Sequence, residues 1–353
     1  AGQIVAGGTS GYADAVAYIL DNDHVADQNA VFDALSRANA ADTTAAINAL
    51  ADALSDTVTQ AMAVHFAGQI VADGASGYAA AVAYMLDNDY VADQDAVFAA
   101  AFTSADVNAL ADALHTLQDT TDIQAMAVRF AGEIDGGSGY AAAVAHILDN
   151  DYEADQNAVF DAAFTSADVN ALADALTAEG DAIQAMAEYF AGQIVAGGTS
   201  GYADAVAYIL NSNLVTTEAA QDAVFAAAFG ADGAIDLADA LTADGDAIQA
   251  MAEYFAGLLN STSGYGYAEA VAHILGNSMI ADGDTMNAVF DALSRANAAN
   301  TTDAIKAVAD ALHSITTDGD AIQAMADYFA SLIDDTSGYA EAVAHILGNS
   351  MIA

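Results

Sequence analysis

The chain has 353 residues and a formal net charge of −46, with 50 Asp and Glu set against only Arg37, Arg129, Arg295 and Lys306. Binding to DNA or RNA needs a Lys/Arg surface, so this charge excludes nucleic acid as a partner and disfavours anionic membranes. Yet 56% of the residues are hydrophobic, which argues for a packed fold over disorder, and the lack of Cys excludes disulfides and thiolate metal sites.

No run of 18 apolar residues exists, so no membrane span is expected. Self-repulsion at this charge calls for screening by salt or by bound divalent cations. The chain begins at Ala1 without Met, as either a product of signal cleavage or an excerpt of a longer protein would.

In chain order, the first predicted helix is SGYADAVAYIL, from Ser10 to Leu20. Ser10 is placed to cap its N-terminus, and the Asp-Asn-Asp stretch after Leu20 stops it. A second helix is expected over roughly 27–38, with Val31, Phe32 and Leu35 as its apolar stripe. The third is clearest as TSADVNALADAL from Thr103, where Thr103 and Asp106 form a variant capping box. Its Val107, Leu110, Ala111 and Leu114 follow the i, i+3, i+4, i+7 spacing of one helix face. The fourth is QAMAVHFAGQIV, with Met62, Phe66 and Ile70 at four-residue intervals. Alternation of period two is absent over any useful length, so the fold class is all-α.

This four-helix pattern returns along the whole chain. The tyrosines of the Ser-Gly-Tyr start are Tyr12, Tyr78, Tyr140, Tyr202, Tyr267 and Tyr339. The expected units are 1–66, 67–130, 131–190, 191–255 and 256–329, with a partial unit at 330–353. Residues 1–20 recur letter for letter as 191–210, and 101–114 as 163–176. Such copying fits selection for length or surface repetition better than selection for one catalytic centre. The abundant Ala allows close approach of helix axes, and each thin unit is expected to bury its remaining apolar face on its neighbours, as a solenoid or a string of small bundles. The signatures of tetratricopeptide, ankyrin and HEAT repeats are absent. Since the pattern opens in a fourth helix and closes after a first, either the final half-unit is a cap or, as the favoured expectation, each end is completed by a neighbouring subunit.

Three of the first inter-helix loops concentrate carboxylates: Asp21, Asp23 and Asp27; Asp87, Asp89 and Asp93; Asp149, Asp151 and Asp155. Hard cations take several carboxylate oxygens from one loop, which makes Ca²⁺ the candidate ligand. The loops are not EF-hands, because they lack Gly at position 6 and Glu at position 12. Helix stopping and capping is the competing role of the same Asp and Asn residues. A second acidic turn precedes the fourth helix at Glu179-Gly180-Asp181, Asp244-Gly245-Asp246 and Asp318-Gly319-Asp320, where Gly is expected to supply a positive φ. The Gly-rich stretch from Ala6 to Gly11 lacks the strand and the Lys of a phosphate loop and reads as a turn.

His146, His273 and His345 take the place held by Tyr18, Tyr84 and Tyr208 in other units. No zinc-protease motif or Ser/His/Asp constellation recurs, so no enzyme is expected. The function expected from these features is a self-assembling extracellular or cell-surface protein, forming a fibre, sheath or surface layer from copies of itself. A solenoid binding or adhesion module, with or without bound Ca²⁺, is the second reading.

Overall fold

The computed structural model describes residues 4, 11–38, 43–71, 77–104, 106–137, 139–195, 201–230, 233–243, 245–259, 265–296, 301–315, 320–333, 338–349 and 351. Among them are 21 helices and no strand. The chain forms two compact units, 1–176 and 177–353.

Unit 1 holds α1 (Tyr12–Asp21), α2 (Gln28–Ala38), α3 (Thr43–Ala51), α4 (Asp56–Ala67), α5 (Tyr78–Asp87), α6 (Gln94–Phe102), α7 (Asn108–Leu117), α8 (Thr120–Gly132), α9 (Tyr140–Asp149), α10 (Gln156–Phe164) and α11 (Val169–Ala175). Each helix packs on the second one along: α1, α3, α5, α7, α9 and α11 make one row, and α2, α4, α6, α8 and α10 the other. The rows meet through sequential pairs such as α4 with α5 and α8 with α9.

Unit 2 holds α12 (Asp181–Gly192), α13 (Tyr202–Asn211), α14 (Glu218–Gly230), α15 (Ala234–Ala240), α16 (Asp246–Leu258), α17 (Tyr265–Gly276), α18 (Gly283–Ala296), α19 (Thr301–Ile315), α20 (Asp320–Ser331) and α21 (Tyr339–Gly348). Here too the even-numbered helices form one row and the odd-numbered ones the other.

The packing unit is therefore a helical hairpin, half the length of the four-helix unit visible in the sequence. Each even helix inserts one phenylalanine into the core: Phe32, Phe66, Phe98, Phe130, Phe160, Phe190, Phe225, Phe255, Phe290 and Phe329 are the ten largest fully buried side chains. On α8, Ile123, Met126, Ala127, Phe130 and Ala131 form one buried stripe, and α12 and α16 repeat it residue for residue. The odd helices meet this stripe with Ala, Val and Leu, such as Val82 and Leu86 on α5.

The Ser-Gly-Tyr starts work differently from expectation. All six of their serines lie outside the described residues. The N-cap is the glycine, held left-handed at Gly11, Gly77, Gly139, Gly201 and Gly338. At Gly77 a Cβ would also run into Thr44 Oγ1, whose hydroxyl donates to the Gly77 carbonyl at 3.1 Å. This turn lays the following tyrosine on a phenylalanine of the other row: Phe66 and Tyr78 stack at 5.1 Å, and Phe102 and Tyr140 at 3.7 Å; Tyr267, inside α17, stacks likewise on Phe229 at 4.1 Å.

The capping box expected at Thr103 does not form. The Thr103 and Thr165 hydroxyls instead donate backwards to the Ala100 and Ala162 carbonyls, at 2.7 and 2.8 Å, closing the preceding helices. Asp168, not a threonine, caps α11.

Candidate functional site

The nine loop aspartates sit at three equivalent turns, and seven of them have identified tasks at helix ends. In the first turn, the Asn22 side-chain amide donates to the Tyr18 carbonyl at 2.7 Å. Asp23 is left-handed, with φ of 53°. Its N–H donates to Leu20 O at 3.1 Å and that of His24 to Ile19 O at 3.0 Å. That paired pattern, closing around a left-handed residue, is the Schellman helix stop. It recurs around Asp89 and Asp151, and also around Asn213 and Ser278, where the acidic residue is absent. Asp and Asn tolerate the left-handed region better than most residues, which is why they hold this position.

The outer carboxylates of each turn serve other helix ends. Asp27, Asp93 and Asp155 accept from backbone N–H groups in the first turns of α2, α6 and α10, at 3.1 Å from Ala30, Ala96 and Asn157. Asp21, at the end of α1, accepts from the Ser55 hydroxyl at 2.7 Å and so fixes the residue that starts α4. Asp87 and Asp149 occupy the same place at the ends of α5 and α9. Among the described residues, no group of three or more His, Asp or Glu side chains could hold a metal ion.

Glutamines that sequence reasoning passed over hold the second side of these turns. Gln60, on α4, donates to Asp93 O at 2.9 Å and accepts from Asp93 N at 2.8 Å. Gln124, on α8, does the same with Asp155, at 3.0 and 2.8 Å. The amide thus clamps the cap of the next hairpin. The recurrence of Gln two residues before the core methionine, at 60, 124, 184, 249 and 323, was a partial signal, because Gln184, Gln249 and Gln323 donate instead to Glu188, Glu253 and Asp327 one turn along their own helices.

In the second acidic turn the glycine is not the residue with positive φ. Gly180 and Gly245 are extended, at φ −79° and −84°, and it is Glu179 that is left-handed, at φ 62°. Glycine is needed there for space, because a Cβ would lie 2.8 Å from Thr177 O at Gly180 and 3.0 Å from Thr242 O at Gly245. Asp244, Asp318 and Gly319 lie outside the described residues, as do 6–10 of the Gly-rich opening.

The Tyr/His position forms a ladder. Tyr84 donates to Asp52 Oδ1 at 2.7 Å. His146, His273 and His345 place Nε2 at 2.8, 2.6 and 2.7 Å from Asp112, Asp239 and Asp310. Each rung joins a first-type helix to the Asp of the preceding third-type helix, so two different side chains do one cross-helix task. The Asp52 hydrogen bond, aided by burial, pushes the Tyr84 hydroxyl up to about 12. In the even row of unit 1, His65 lies 2.9 Å from Asp33 and Arg129 3.3 Å from Asp95. The bonds from His65 and Gln69 hold the Asp33 carboxyl below its usual range.

One carboxyl stands apart. Asp122, in the first turn of α8, is buried and accepts from Gln94 Nε2 at 2.7 Å. Burial first, then the neighbouring Asp119, raise it to about 7. Neither a protein-family model, nor a curated protein, nor a solved structure matches the chain.

Proposed function

We propose that this chain is a non-enzymatic structural protein that assembles with copies of itself into an extracellular fibre, sheath or surface layer, its acidic surface screened by salt or divalent cations. The observation that supports this reading is the apolar surface that α1 and α21 leave exposed. In its row α1 packs on α3, and α21 packs on α19. Ile19 of α1 is 40% exposed, whereas its counterparts Met85, Ile147, Ile209 and Ile274 are exposed by at most 1%. Leu347 of α21 is 62% exposed, whereas Leu20, Leu86, Leu148 and Leu210 are 1% exposed. Tyr12 and Tyr18 widen the apolar face of α1.

Exposed apolar side chains of this kind would be covered by packing against another hairpin of the same repeat. Seating one copy's α21 face against another's α1 face is a head-to-tail contact, which propagates into filaments or layers when the rotation does not close. Screening of the charge then controls whether copies can approach. Multi-angle light scattering across NaCl and CaCl₂ series tests the reading. Mass should grow with salt and with protein concentration, and Ile19→Asp or Leu347→Asp should suppress that growth while leaving the helical circular-dichroism spectrum unchanged. A constant mass of 35.5 kDa under every condition would refute it.

A further inference from the structure

A cavity of about 670 Å³ lies in unit 2 along α14, α16 and α18. A smaller one of about 320 Å³ continues it, sharing Thr216, Gln221, Ala250 and Glu253. The larger cavity is lined by three carboxylates, Glu218, Asp222 and Glu253, and by one cation, Arg295. Arg295 is turned onto its own helix, with Nη2 at 3.3 Å from Asp291 Oδ2 and Nε donating to Asp291 O at 3.4 Å.

The equivalent place in unit 1 is built differently. Gln94-Asp95 of α6 matches Gln221-Asp222 of α14, each four and three residues before a core phenylalanine. Val128-Arg129 of α8 matches Glu253-Tyr254 of α16, each pair directly before a core phenylalanine. In unit 1 the Arg129 guanidinium reaches across to Asp95, at 3.3 Å. In unit 2 that cation is replaced by Tyr254, and the neighbouring Val by a second carboxylate. Among the described residues Asp222 has no hydrogen bond and no ion pair. Burial and the nearby Glu218 push its carboxyl up. The next pair along the row, α18 and α20, also carries a Tyr before its core phenylalanine, but there the residue matching Asp222 is Asn287, and Tyr328 donates to Asp291 Oδ1 at 3.1 Å.

We propose that the α14–α16–α18 cavity binds a guanidinium group from another molecule, in the place that Arg129 fills within unit 1. Asp222 and Glu253 accept its N–H groups in charge-assisted hydrogen bonds. The Tyr254 ring adds a face for the planar cation. Small side chains at Ala250 and Ala292, with Gly257, leave the room that a longer residue would fill. The chain's own cations are engaged elsewhere: Arg129 with Asp95, Arg295 with Asp291, Lys306 with Glu341, and Arg37 with the Asp33 carbonyl.

Isothermal titration of the full chain in 150 mM NaCl tests this with two probes, agmatine and the tripeptide Ala-Arg-Ala. Saturable one-to-one binding of at least one probe is expected. Tighter binding of the tripeptide would assign the guanidinium to a peptide, and tighter binding of agmatine to a small molecule. Asp222→Asn should weaken binding at least tenfold. Tyr254→Arg, which copies the α8 arrangement, should abolish binding while retaining the helical spectrum. Asp204→Asn, which removes an exposed carboxylate of α13, controls for bulk charge and should change nothing. Absence of saturable binding by either probe would overturn the proposal. So would equal affinity in the wild type, Asp222→Asn and Tyr254→Arg.

Discussion

Asp122 shows how a single side chain can run against the rest of an acidic protein. Most of its carboxylates face water or cap helices, but this one is buried beside Asp119 and raised to about 7. In the unfolded chain it titrates near its ordinary value of 3.8. Between those two values the unfolded state releases a proton that the folded state keeps, so folding stability falls as pH rises from about 4 to 7, then levels off. Asp122→Asn should remove that slope. The variant should melt a few degrees higher than wild type at pH 8, equivalent to about 1 kcal/mol, and at the same temperature at pH 4. Differential scanning calorimetry at both pH values decides it, and a variant that melts lower at pH 8 would show that the carboxylate is stabilising. The core phenylalanines are the opposite case. Phe66, Phe130, Phe190, Phe255 and Phe329 are fully buried, and truncating Phe130 to Ala should cost about 3–5 kcal/mol in chemical denaturation. A loss below roughly 1 kcal/mol would mean that the site collapses around the gap.

Helix ends separate what the sequence makes legible from what it hides. The apolar stripes were readable because a helix face is a local pattern: Met62 and Phe66 of α4, and Leu110, Ala111 and Leu114 of α7, are buried at the spacing expected. The hairpin repeat was harder to see, since odd and even helices differ in composition and only the four-helix period preserves whole words such as Ser-Gly-Tyr. The clustering of carboxylates after Leu20, Leu86 and Leu148 was equally legible, but sequence cannot separate a cation loop from a helix stop. What the sequence hides is φ at Asp23, Asp89 and Asp151, and partners more than 30 residues away, such as Ser55 for Asp21 and Gln60 for Asp93. The stop makes a direct expectation. Asp89→Gly should leave stability unchanged or raise it by up to about 1 kcal/mol, because glycine carries no left-handed penalty, whereas Asp89→Val should lose about 1–2 kcal/mol. Urea unfolding of both variants, with and without CaCl₂, checks it. Destabilisation of Asp89→Gly that appears only in CaCl₂ would instead assign the carboxylate to a bound cation.

At the scale of the whole molecule the dominant quantity is the charge of −46 carried on helices that must lie side by side. Only four Lys and Arg side chains offset it, and the rungs from Tyr84, His146, His273 and His345 each answer a single carboxylate. Adjacent helix axes are about 8–10 Å apart, comparable to the screening length of about 10 Å at 0.1 M salt and well beyond the roughly 3 Å at 1 M. Carboxylates on neighbouring hairpins therefore repel one another at low salt and are largely hidden from one another at high salt. Thermal stability at pH 7 should rise steadily from 0.1 to 1 M NaCl. Near the sequence pI of about 4.1, where many carboxylates are protonated, the same salt series should have a much smaller effect. Equal molar sucrose at pH 7 serves as the control, because it favours compact states without screening charge. A melting temperature that responds alike to salt at both pH values would show that exclusion of solute from the surface, not self-repulsion, sets the stability of the array.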